Sequence, residues 1–253
     1  MPSVSNYTLM SFAKGITYRQ PVVFAAATLV CTVLAIWAVV LAPVGSVAGV
    51  SGLYIAAAVY VPLALWFGVW GCLAGYVSCI FMGIYLGYSL PFVMVWALAD
   101  FFEGFVPLLI YRSLKTKPTL ELKRPKLTYG LNALLALVLV GSASALILSL
   151  TSVFYAALIV GIALLVFQAS VEDRKTWVTW LIVGVFVASL VSGLFGVGAL
   201  LAFGNISQSA FSTVFVGWVL GDIIVLATLG TILTVALTPI IIKSQIYVRR
   251  FFS

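Results

Sequence analysis

Two acids three residues apart, Asp100 and Glu103, sit inside an apolar run from Pro91 to Tyr111. That run is long enough to cross a bilayer as a helix. A spacing of three puts both carboxyls on one helix face. The Leu, Ile, Phe and Val residues of the run favour insertion by roughly 3–6 kcal/mol in total. Two ionised central carboxylates cost about 5–7 kcal/mol. The helix therefore inserts only if its acids face other helices or a cavity. There they can hold a proton, bind a cation, or accept hydrogen bonds from a polar ligand. The plain alternative is two neutral carboxyls bonded to hydroxyls and backbone of adjacent helices. Gly104 and Pro107 follow closely and can bend the helix so that backbone carbonyls open nearby.

A third acid, Asp222, closes the segment Gly217-Trp-Val-Leu-Gly-Asp222. Counting from Ala210 puts it mid-span, and counting back from Lys243 puts it near the outer interface. No Lys or Arg lies at membrane depth to pair with any of the three. Asp100, Glu103 and Asp222 are the candidate polar anchors of a ligand. Trp66 and Trp218 are candidate walls against which a planar group stacks, although interfacial belts explain most such aromatic residues.

A different pattern runs through the third apolar segment. Gly71, Gly75, Cys79, Gly83 and Gly87 recur at every fourth position and draw one smooth stripe along a helix. Such a stripe lets a neighbouring helix approach closely. Ordinary helix packing is the plain explanation of such a stripe, and its four glycines are also a candidate docking face for a partner subunit.

The elements that hold these residues follow from composition. Hydrophobic residues make up 64% of the 253, charged residues only 8%, and the mean hydropathy is +1.26. This is the composition of a polytopic helical membrane protein. Long unbroken apolar runs exclude the short alternating segments of an outer-membrane barrel. The net charge of +7 does not imply nucleic acid, because the basic residues fall between apolar runs, where they set orientation. The chain has no histidine, which excludes bis-histidine haem, histidine-bound zinc or copper, and a Ser-His-Asp triad. Cys31, Cys72 and Cys79 lie in or beside apolar runs without metal-ligand spacing. No metal, cofactor or catalytic residue is expected, and an enzyme is the least supported class. Without an ATP-binding loop, any ATP-driven step needs a partner.

The whole chain, 1–253, is read as one integral membrane domain of about eight spans. These are 21–42, 53–67, 70–88, 91–111, 128–150, 153–170, 177–203 and 212–242. Spans two and three come from one long uncharged stretch, Leu53 to Tyr88, which is about 54 Å as a single helix and too long for one crossing. A tight turn is expected near Phe67-Gly-Val-Trp-Gly71. With eight spans and the N-terminus inside, all 13 basic residues fall on the cytoplasmic side, as the positive-inside rule requires. Both termini are then cytoplasmic, and the protein belongs in the cytoplasmic (plasma) membrane.

The segment Pro62-Leu-Ala-Leu-Trp-Phe-Gly-Val-Trp-Gly71, with the glycine-striped span after it, resembles the early part of two related membrane groups. One is the eight-span sensor domain MASE1. The other is the substrate-binding S component of energy-coupling-factor vitamin transporters. Leu98-Ala-Asp-Phe-Phe-Glu-Gly-Phe with Ile110-Tyr-Arg112 is similar to their middle section. Trp218-Val-Leu-Gly-Asp222, with Pro239 later, is similar to the closing pattern of MASE1. The span count matches the sensor group, whereas S components usually have six. The short stretch after the last span suits a stand-alone subunit. The resemblance implies a membrane-embedded small-molecule binding subunit acting with separate partners. A MASE1-like sensor or anchor without its own output domain is the alternative. A structural subunit of a membrane complex is the third class.

Overall fold

A computed structural model describes residues 18–41, 47 and 50–252. The chain is helical, with no strand among the described residues. Eight helices follow in order: α1 Arg19–Leu41, α2 Ala57–Phe67, α3 Val69–Tyr85, α4 Leu90–Ser113, α5 Pro125–Ile147, α6 Thr151–Val171, α7 Arg174–Ala202 and α8 Gln208–Ile241. Six of them are long and apolar enough to cross a membrane; α2 and α3 are shorter.

The uncharged stretch 53–88 breaks where the chain can turn. Gly68 takes φ +62° and ψ −140°, a conformation open to glycine and costly for other residues. Beyond it α3 doubles back along α2, so that Gly71 meets Leu63 and Ala64, and Gly75 meets the Tyr60 ring. With 11 residues, α2 is about 16 Å long, roughly half the hydrocarbon thickness. It lies in the middle of the bundle against α3, α4 and α8, and nearly all its residues are buried.

The approach to α2 differs from the expected helix over 53–67. Residues 50–56 are irregular, yet Val50, Ser51, Leu53 and Tyr54 are buried. Ser51 Oγ donates to the Ala38 carbonyl at 3.0 Å and accepts from Leu53 N–H at 3.1 Å. The Gly52 carbonyl presses on Gly221 of α8 so closely that a Cβ there would lie 2.7 Å from it. Non-helical backbone inside a membrane bundle survives where protein covers it, and α1 and α8 supply that cover here.

Around this centre, α1 packs on α3, α4 on α7, and α5 on α6. α5 and α6 are joined by polar rungs one helical turn apart. Gln168 Nε2 donates to Asn132 Oδ1 at 3.0 Å, and Thr128 Oγ1 donates to buried Glu172. Both α7 and α8 carry a π-helical stretch, Trp180–Val187 and Leu226–Gly230. The two touch, and Trp180 Nε1 bonds Thr231 Oγ1 at 2.8 Å.

The basic segments gather at one end of the bundle. Arg19 bonds Gln245. Arg112 donates to the carbonyls of Leu65 at 3.1 Å, Val248 at 2.6 Å and Arg250 at 3.1 Å. Asp173 N–H and Trp177 Nε1 both donate to the Glu121 carbonyl. The start of α1, the 112–126 loop, the α6–α7 turn and the tail thus share one face, while Lys14 lies outside the described residues. Asp173 caps α7 there, and the Thr176 backbone N–H holds its carboxyl below the usual range.

Candidate acid site

Asp100 and Glu103 project from the middle of α4 and are 1% and 0% exposed. Asp222, on α8, is 1% exposed. It lies fourteen residues into a 34-residue helix, about 21 Å along the axis. Along that helix it is nearer the middle than either end. Asp100 and Asp222 line one cavity, and Glu103 lies within electrostatic reach of both. The structure thus brings together three carboxyls from two helices 120 residues apart in sequence.

Hydroxyls from the central element serve these acids. Tyr54 Oη, in the irregular lead-in, donates to Asp100 Oδ2 at 2.9 Å. Tyr60 Oη, on α2, donates to Glu103 Oε2. Ser192 of α7 neighbours both Glu103 and Asp222, and it accepts from Trp218 Nε1 at 2.9 Å. Cys79 of α3 stands beside Asp100. Two short helices and one irregular segment therefore exist in the right place to hydrate, in effect, carboxyls that lipid would not tolerate.

Satisfaction is incomplete. Among the described residues, Glu103 Oε1, Asp222 Oδ2 and Trp96 Nε1 are buried with no hydrogen-bond partner. Each such group costs about 1–3 kcal/mol, and native proteins leave few of them. Trp96 and Asp222 line a cavity of about 10 Å³, close to the space one water needs. Its walls are Ser51, Tyr54, Cys79, Met82, Trp96, Asp100, Trp218 and Asp222. The Trp96 and Trp218 rings meet edge to face across it, with centroids 6.2 Å apart. Among the described residues, no three His, Cys, Asp or Glu side chains are placed to share a metal ion.

Of the five candidate ligand contacts, Asp100, Glu103, Asp222 and Trp218 come together, and Trp66 does not. Trp66 sits at the basic end of α2. Its Nε1 bonds Thr238 Oγ1 at 2.9 Å and its carbonyl accepts from Val248 N–H at 2.9 Å. It ties α2 to α8 and the tail, and it does not line the cavity. The stripe on α3 is largely occupied by the chain itself. Gly71 and Gly75 meet α2, and Gly83 meets Val93 and Trp96 of α4. Gly87, at φ +82°, turns α3 toward α4 and has open space where a Cβ would stand. Close packing within one chain accounts for Gly71, Gly75 and Gly83 without a partner subunit.

Sequence reasoning passed over Tyr54, Tyr60, Trp96 and Ser192. The signal available for them was the need of each intramembrane acid for a hydroxyl or N–H donor. Comparison with family models, with characterised proteins and with solved structures finds no match to this chain.

Proposed function

We propose that this protein is a membrane-embedded binding subunit for a small polar molecule, working with separate partner subunits in the cytoplasmic membrane. One observation carries the reading: among the described residues, Asp100 and Asp222 line one small cavity with an unpartnered Asp222 oxygen and the unpartnered Trp96 indole N–H, and buried Glu103 lies beside them. Other buried polar atoms among the described residues also lack a partner; what sets this place apart is an unpartnered donor and an unpartnered carboxyl oxygen on residues that line one cavity. The resemblance to S components runs through Asp100 and Glu103, which supports the same reading. A MASE1-like sensor is the second reading, favoured if the two shorter apolar helices among the described residues are counted with the six long enough to cross a membrane.

The test uses Asp100→Asn, Glu103→Gln and Asp222→Asn, which keep shape and remove ionisation. Native purification with mass spectrometry identifies bound molecules and partners. Folded amide variants should lose the co-purifying molecule at least tenfold, the loss expected from one good charge-assisted hydrogen bond. Undiminished retention in the triple variant would reduce the acids to packing. ATPase and coupling subunits among the partners favour uptake, and a kinase or cyclase favours sensing.

We read α2 with its buried lead-in, and α3, as two further spans, making eight with both termini cytoplasmic. The native cysteines are buried, so single exposed cysteines report topology. Ser207→Cys should label from outside and Lys117→Cys only after permeabilisation. Labelling of both from one side would remove the eight-span topology.

A further inference from the structure

We infer that the cavity between α4, α8 and the lead-in to α2 takes one neutral hydroxyl group and not a cation. That group is a resident water, or the hydroxyl of a ligand that displaces it. The inference rests on the acid cluster being a binding site, as proposed above, and names the chemistry of what it holds.

Donors and acceptors around the cavity select its occupant. Trp96 is 0% exposed, lines the cavity, and leaves its Nε1–H without an acceptor among the described residues. An indole N–H only donates. Asp222 also lines the cavity, and its Oδ2 lacks a donor. One hydroxyl accepts from the first and donates to the second. A metal ion, an ammonium or a guanidinium has no lone pair to offer, so it leaves the indole unsatisfied and meets the positive end of its dipole. Other polar walls are already engaged: Ser51 with the Ala38 carbonyl and Tyr54 with Asp100.

Size agrees with this matching. About 10 Å³ is at the lower edge of what a single water occupies. A hydroxyl on a carbon stem enters only if a wall gives way. Met82, unbranched and packed among these walls, is the side chain best able to move. Among the described residues, no three His, Cys, Asp or Glu side chains are placed to share an ion here.

The experiment uses the full-length protein in lipid nanodiscs. Difference resonance Raman between the parent and Trp96→Phe reads the hydrogen-bond state of that indole. The expected result is a hydrogen-bonded N–H. Difference infrared spectra in ordinary and 18O-water should contain an internal O–H band that shifts with the isotope, read in the parent itself should the variant fold poorly. Ethylene glycol is then titrated. Loss of the isotope-sensitive band with Trp96 still bonded identifies a ligand hydroxyl, and persistence identifies resident water. A free indole N–H under both conditions overturns the inference. So does a saturable change of the Trp96 signal with sodium or ammonium chloride at constant ionic strength. Those failures differ from failure of the binding reading, which shows as amide variants that keep their co-purifying molecule.

Discussion

Gly71→Ala is expected to take the protein apart at its centre. The added Cβ would stand 2.3 Å from the Leu63 carbonyl carbon and 2.4 Å from Ala64 N. These are backbone atoms of α2, which no rotamer change can move aside. Overpacking a core by a methyl group costs about 1–3 kcal/mol when side chains can adjust. Here the helices themselves must separate, so the cost belongs at or above the top of that range. The damage would spread to the site, because α2 carries Tyr60. Gly75→Ala makes a milder contact, 3.0 Å to Tyr60 Cγ, and a side chain can yield. Gly130→Ala and Gly141→Ala serve as controls on α5, where nothing lies within 4 Å of the added atom. They should raise stability by about 0.5–1 kcal/mol through lower backbone entropy of the unfolded chain. Thermal unfolding and monodispersity in detergent read all four. Equal melting of Gly71→Ala and Gly141→Ala would mean that α2 and α3 do not touch at Gly71.

The contrast between these glycines marks where sequence reasoning stops. Gly71 and Gly141 both sit in apolar helices, and nothing local separates the one pressed on backbone from the one with open space. Lipid is as apolar as the bundle interior, so the 3.6-residue alternation that labels the inner face of a soluble helix is absent. α2 has essentially no amphipathic asymmetry. The existence of helices was legible because uninterrupted apolar length is itself the signal. Asp100, Glu103 and Asp222 were legible because a carboxyl in such a helix is costly enough to demand an explanation. Their partners were not, since Tyr54 and Tyr60 look like any aromatic residue in an apolar run. Trp66 misled for the same reason: an indole bonding Thr238 reads in sequence like one lining a pocket. The irregular backbone over 53–56 was hidden because no charge or proline marks it.

Tyr60 and Glu103 are expected to be worth more to each other than to the fold. Tyr60→Phe keeps the ring packed against Gly75 and removes only the hydroxyl that serves Glu103 Oε2. Oε1 already lacks a partner, so the substitution removes the tyrosine donor from a wholly buried carboxyl. Leaving a buried polar group unmatched costs about 1–3 kcal/mol, and a ΔΔG of that order should appear as a clear drop in melting temperature. Glu103→Leu inverts the problem by stranding the Tyr60 hydroxyl, at a similar cost. Combining Tyr60→Phe with Glu103→Leu removes both partners, and replacing a buried polar pair by apolar groups of like size is close to neutral. The double variant should therefore be about as stable as the parent, giving a coupling energy of about 1–3 kcal/mol in the cycle. Its molecule or partner retention should nevertheless be lost, because the acid cluster has lost one of its three members. Stability regained with function lost would mean the acid is kept for binding and not for folding. If the double variant instead melts as low as the two single losses added together, Glu103 supports the bundle through contacts other than Tyr60. The cluster would then be a structural element, and the binding proposal would fall with it.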